Sequence, residues 1–358
     1  MTGSTCQQLS IDRRGRLVEI DGFEATADYG DELGEYEAAR SSVALMHRTW
    51  RALIKVNGEA RASFLQRLLT NDIEAVDPGE GCRALLLDQK GKVVGDLDLW
   101  VGEESIHISC DAGVADVVLA ELHKRILRAP VEFEDLRDQK TVVGVVGPST
   151  GELLESAGIA MPSGSMRAHL DARIADNDVR IARTPALAAI GVEVHLSVAC
   201  LRSLYLALEK AGGGPPALLG WNVAEILRVE EGLPRHGREL TGEQLPQEAR
   251  MEDGVDFEKG CYLGQETVAR LHYRGHVNRR LVGLRLSEPV LPGAELMAAE
   301  RNIGKLTSAV ISPCHGPIGL GFVRRQQTAP GTRVMMVVDG QGAGEATVAS
   351  LPFKEKGG

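Results

Sequence analysis

The residues best suited to chemistry lie in Lys259-Gly260-Cys261-Tyr262-Leu263-Gly264-Gln265-Glu266. Gly260 and Gly264 let the backbone turn tightly and approach another surface. A short helix is predicted to begin at Gln265 and run through Leu271. Cys261 then stands just ahead of a helix N-terminus and beside Lys259. Both features favour the thiolate, the form a reactive or metal-binding sulfur requires. Cys261 is therefore the candidate catalytic residue. The other five cysteines, Cys6, Cys82, Cys110, Cys200 and Cys314, are expected to be small buried hydrophobes. No two cysteines form a CxxC pair, and their wide spacing fits neither a zinc module nor a secreted disulfide framework. His272 and His276 mimic half a zinc site, but without paired cysteines no metal site is predicted. Nothing in the sequence aims either histidine at the sulfur.

Between Glu266 and Glu288 there is no acidic residue, yet Arg270, Arg274, Arg279, Arg280 and Arg285 all fall there. These arginines either pair with acids distant in sequence or form an anion site for a carboxylate tail, a partner protein or RNA.

Several elements must position these groups. Residues 29–47 read as a helix with Tyr36, Ala39 and Val43 on one face, and RALIKVNG (51–58) as a strand closing on an Asn-Gly turn. A helix follows, carrying Ala62, Leu65, Leu68 and Leu69. CRALLLDQKGKVVGDLDLWV reads as a hairpin turning at Gln89–Lys92, with Asp96, Asp98 and Trp100 on one face of the return strand. Residues 111–128 form an amphipathic helix capped by Asp111, and 141–150 a buried strand. A Leu-rich helix runs from Leu201 to Gly212, and another covers 222–231, capped by Asn222 and ended by Gly232 and Pro234. From Arg279 onward, short strands separated by Gly and Pro suggest a small β-barrel. The predicted division is 1–145, 146–278 and 279–358, two α+β domains followed by that barrel.

The chain has 358 residues, 43% of them hydrophobic and 25% charged, the balance of a soluble globular protein. Its net charge of −10 argues against coating nucleic acid through bulk electrostatics. The opening MTGSTCQQLSIDRRGRLVEI has no apolar core of a signal peptide. No apolar run approaches the ~18–20 residues that span a bilayer. A cytoplasmic location without membrane attachment is expected.

The Lys259–Glu266 stretch closely resembles the K-G-C-Y-x-G-Q-E signature of the YgfZ family, itself similar in fold to the T-protein of the glycine cleavage system. VNGEARASFLQRLLTNDIEAVDPGEG resembles the start of the T-protein folate-binding domain. Arg228-Val229-Glu230-Glu231-Gly232-Leu233-Pro234 resembles that family's Arg-x-Glu-x-Gly-x-Pro element, and IGKLTSAVISP with IGLGFVRR its C-terminal barrel. The resemblance implies an α+β, multi-domain, cloverleaf fold with folate-binding domains and tetrahydrofolate as cofactor. It implies an accessory protein supporting assembly or repair of iron–sulfur proteins, with Cys261 essential and iron–sulfur proteins or their assembly factors as partners. The folate-contacting candidates it implies are Asp96, Glu193, Arg228, Glu230, Lys259, Tyr262 and Gln265.

Two departures from the T-protein pattern count against glycine cleavage. Gly95-Asp96 stands where T-proteins have two aspartates, and the Tyr-Thr-Gly-Glu ahead of the Gly-x-Glu strand is missing from Ala188-Ala189-Ile190-Gly191-Val192-Glu193-Val194. The alternatives are a folate-dependent aminomethyltransferase or demethylase, and a folate-binding regulator of tRNA modification that contacts RNA through the arginine run. The overall acidity disfavours RNA as a primary partner. Catalytic turnover is left open.

Overall fold

The structure, a computed structural model, describes residues 14–174, 177–185 and 189–354; Cys6 and Ala188 lie outside the described residues. The chain divides into two compact units. The first takes residues 1–86, 94–224 and 254–263, the second 87–93, 225–253 and 264–358.

The first unit opens with an antiparallel hairpin, β1 (Arg16–Ile20) and β2 (Phe23–Asp28), followed by two sheets. One has five strands in the order β5 (Gly81–Leu87), β6 (Val93–Val101), β7 (Ile106–Asp111), β4 (Arg51–Asn57) and β8 (Glu132–Asp135). The other has six, in the order β10 (His169–Ile174), β11 (Asn177–Arg183), β12 (Gly191–Ser197), β9 (Lys140–Val146), β3 (Ala44–His47) and β13 (Ala217–Leu218).

The predicted β5–β6 hairpin is present because its alternation suits a pleated surface. Leu97 and Leu99 on β6 enter a core with Phe64, Leu65, Val118 and Leu122, and each such burial stabilises by about 1.5–3 kcal/mol. β9 is central and buried on both faces, with Val142, Val143, Val145 and Val146 fully enclosed. Its near-continuous apolar run reflects that position.

Helices cover the sheets: α1 (Glu32–Ser41), α2 (Arg61–Gln66), α3 (Ala115–His123), α4 (Thr150–Ser156), α5 (Leu201–Gly212) and α6 (Trp221–Glu231). α1 is capped by Asp31, whose carboxylate accepts from Gly34 N. It stops at Ser41, and the predicted helical tail is instead β3, paired with Val143–Val146 of β9. α3 begins at Ala115 after a single 3-10 turn; Asp111 makes no capping bond and receives Arg51 instead. Asn222 lies inside the first turn of α6 rather than capping it, and its amide donates to Glu32. α5 ends as predicted, with Gly213 in the left-handed conformation at φ 70°.

In the second unit α7 (Gln265–Arg274) precedes a closed barrel of six strands. These are β14 (Arg279–Leu286), β17 (Gly316–Arg324), β16 (Arg301–Ser312), β15 (Glu295–Ala298), β18 (Arg333–Val338) and β19 (Gln341–Ala349), ordered around the wall. Pairing of β14 with both β17 and β19 closes the circle. Among the described residues no helix is long and apolar enough to cross a membrane.

Candidate functional site

Strand β6 sets the arrangement. Its period of two puts Asp96 and Asp98 on the face opposite Leu97 and Leu99. Asp96 accepts Nε and Nη2 of Arg83 from the neighbouring β5, both at 2.8 Å, in a two-pronged pair. Asp98 accepts Nη2 of Arg51 at 3.3 Å and Nε of Arg167 at 3.2 Å. Arg51 also donates to Ser109 and Asp111. Against the cost of burial, Glu193, Asp111 and Asp98 hold the Arg51 guanidinium firmly charged.

Glu193 lies on β12 with no exposed surface. One of its oxygens accepts Nη1 of Arg48, and the other meets Nε2 of His195 at 3.0 Å. Burial alone would raise its pKa, yet Arg48, His195 and Arg51 pull it down to about 2. Glu193 is a buried anion with both oxygens occupied. It belongs to a charged layer that includes Arg48, Arg51, Asp98, Arg167 and His195. Only Glu193 of that layer is marked in the sequence by the resemblance. The signal for His195 was there, because residues two apart on one strand share a face.

The same unit contains histidines held neutral. Burial pushes His47 down to about 4, and burial together with Arg180 pushes His107 to about 2. The unfolded chain therefore takes up these protons more readily. Stability is full above about pH 6.5 and falls as pH drops through 5 toward the folded values. The melting temperature should fall by roughly 4 °C or more between about pH 7.5 and about pH 5, and His47→Gln should blunt that fall. A flat profile would show that these imidazoles keep an ordinary pKa in the folded chain.

Lys259 is fixed in an unexpected direction. Its three ammonium hydrogens serve the carbonyls of Gln66 (2.7 Å), Leu69 (2.8 Å) and Asn71 (2.7 Å). These lie at and just past the end of α2, where carbonyls lack helical partners. Burial lowers its pKa to about 8. The ammonium also stands 5.5 Å from the centre of the Tyr262 ring, itself buried. A second tether is Asp256, whose carboxylate accepts the N–H groups of Glu258 and Lys259 while its own N–H donates to Thr70 O. The donors of Lys259 are thus directed to backbone rather than to the sulfur.

Between these anchors and α7 the backbone carries an exposed Cys261. Gly264 precedes α7 at φ 79°, and a Cβ there would come within 2.4 Å of Asp88 O, so its close approach requires glycine. Gly260 has open space around its missing side chain and no positive φ, so the predicted steric role holds at Gly264 alone. Gln265, the first residue of α7, is half-buried.

Of the remaining cysteines, Cys110 and Cys200 are buried as expected, while Cys314 is exposed. Cys82 is half-buried, and burial pushes its thiol up to about 12.

In the second unit Arg228 is enclosed by Glu225 (2.6 Å), Glu239 (3.0 Å) and Ser308 (2.7 Å). Glu230 is buried and accepts the hydroxyl of Ser312 at 2.6 Å. The arginine run is largely paired in space: Arg279 with Glu248, Arg280 with Glu252, and Arg285 with the carbonyl of Lys354. Arg270 and Arg274 are exposed. Among the described residues no cluster of three or more His, Cys, Asp or Glu is arranged to hold a metal ion.

Comparison with known proteins places this geometry in context. Residues 7–259 match the GCVT N-terminal domain, and 279–354 the glycine cleavage T-protein C-terminal barrel domain. An aminomethyltransferase of Streptomyces avermitilis is 30% identical, over 94% of this chain and 93% of its own. A chloroplastic protein of Arabidopsis thaliana, assigned by its name only provisionally to the transferases, is 26% identical over 96% of this chain and 78% of its own. The crystal structure of the glycine cleavage system aminomethyltransferase T from Bartonella henselae is 25% identical, with a TM-score of 0.89, covering 98% of this chain and 97% of that one.

Proposed function

The chain belongs to the glycine cleavage T-protein family, and we propose on that premise that it is a tetrahydrofolate-binding accessory protein of the YgfZ type. In this reading it supports assembly or repair of iron–sulfur proteins and does not cleave glycine. The observation that carries the reading is the exposed Cys261, displayed on a segment fixed by Lys259 and Asp256. A fixed, accessible sulfur suits a group that must meet a cluster or a client protein, which here is cargo rather than a resident group.

The residues fit folate at one point. A pterin edge needs a carboxylate with accessible surface. The Asp96 side chain keeps 26% of its surface exposed, whereas that of Glu193 keeps none. Asp96 would therefore meet the pterin, with Arg83 fixing the direction of its carboxylate. Bound tetrahydrofolate supplies a nitrogen able to carry a one-carbon unit. Asp96→Ala should weaken tetrahydrofolate binding at least about tenfold; unchanged affinity in calorimetry would remove Asp96 from the site.

Aminomethyl transfer is the second reading, favoured by the names of the relatives. Against it stands position 95, where a Cβ would come within 2.8 Å of Val118 Cγ2 on the core side of β6. A second aspartate there would be forced into apolar surroundings. Purified protein mixed with an aminomethyl-loaded carrier and tetrahydrofolate should release no ammonia above background. Turnover in that assay would overturn the accessory reading. Loss of iron–sulfur enzyme activity in cells lacking the protein, with restoration by the wild type, would support it.

A further inference from the structure

The second unit holds a cavity of about 780 Å³, within the size range of pockets for small organic ligands. It opens between the loop around Arg238 and the barrel strands β16 and β17. Four cations line it, Arg238, Arg279, Lys305 and Arg324, against one carboxylate, Glu295. Arg279 is neutralised by Glu248 at 3.2 Å. Arg238, Lys305 and Arg324 are exposed, and among the described residues their side chains make no hydrogen bond or ion pair. In a chain of net charge −10, that is a local excess of unpaired positive charge.

Two features make this more than a solvated surface. Arg279 and Arg324 sit directly opposite each other on β14 and β17, and like charges in that position destabilise a sheet. Among the described residues only Arg279 of the two has an acidic partner. An incoming anion would relieve the other.

The wall bearing Arg238 is also fixed rather than floppy. Its neighbour Glu239 has no exposed surface and accepts from Thr307 (2.6 Å), Ser308 (2.7 Å) and Arg228 (3.0 Å). Those bonds tie the loop to β16. The backbone that carries Arg238 is thereby held in place against the barrel wall, which lowers the entropy lost when a ligand binds.

The floor is of another kind. Phe322 lies under the Arg279 guanidinium, 5.4 Å from ring centre to Cζ. A guanidinium fixed over an aromatic ring presents a flat face on which a heterocycle stacks. Asn302, Thr241 and Gln244 also line the cavity.

We propose that this cavity binds a nucleoside phosphate, its base on the Arg279–Phe322 platform and its phosphates against Lys305, Arg324 and Arg238. The proposal is independent of the folate and sulfur sites.

The test is calorimetric titration of the full chain with ADP, inorganic pyrophosphate and adenosine. ADP is expected to bind more tightly than pyrophosphate, adenosine to bind barely at all, and the ADP affinity to fall with added salt. The double variant Lys305→Glu/Arg324→Glu is expected to weaken ADP binding at least about tenfold while the chain stays folded and its tetrahydrofolate affinity is unchanged. No ADP binding, equal affinity for pyrophosphate and ADP, or an ADP affinity indifferent to the double variant would overturn the proposal.

Discussion

Glu193→Ala is expected to destabilise the protein by about 3–5 kcal/mol, the range for removing one partner of a buried charge pair. The Arg48 side chain is 6% exposed and that of Glu193 fully enclosed, so the guanidinium left behind loses its bonded counter-charge in a buried setting. His195 would lose the acceptor at its Nε2 in the same step. Urea unfolding at neutral pH measures the loss as a shift in midpoint. The double variant Arg48→Met/Glu193→Leu should recover most of it, since the larger part of the cost is the orphaned charge rather than the net worth of the pair. A loss below about 1 kcal/mol in the single variant would put this pair among exposed ion pairs and contradict its burial.

Cys261→Ser is expected to reduce support of iron–sulfur enzymes to the level of cells lacking the protein. Serine has nearly the size of cysteine, and the side chain is exposed, so folding and tetrahydrofolate affinity should be retained. A hydroxyl does not ionise near neutral pH and cannot form a disulfide or replace a thiolate on iron. The loss would therefore report on sulfur chemistry alone. Lys259→Met serves as the contrast: it leaves three carbonyls without their donor, so its effect should appear first as a lowered melting temperature. Full complementation by Cys261→Ser would remove the sulfur from the function.

Much of the scaffold was legible because its signals were local. The β5–β6 hairpin follows from alternation around a turn, α5 from helical spacing ended by glycine, and the barrel from repeated short strands. The helix expected over 29–47 failed because Ala44, Leu45 and Met46 continue an apolar pattern that suits either element. Only pairing with β9, about a hundred residues further on, decides for strand. The site shows the same limit. Asp96 and Glu193 could be selected from the resemblance, but Arg48 lies 145 residues from Glu193 in sequence, and no periodicity links them. Lys259 was placed next to Cys261 by adjacency, whereas the carbonyls that capture its ammonium lie some 190 residues earlier. For the arginine run, pairing and an anion site both stayed open because Glu248 and Glu252, partners of Arg279 and Arg280, precede it in the chain.

The closed barrel also bears on the order in which the chain folds. Its seam joins β14 to β19, with Gly283 opposite Ala349, so the first barrel strand gains its second neighbour only once β19 is present. Until then one flank of β14 carries unpaired backbone groups, an open template for a neighbouring chain. Contacts so far apart in sequence form late, because the loop between them must close first. During synthesis the barrel is thus completed only after β19 has emerged, and a protein lacking β19 keeps an adhesive edge on β14.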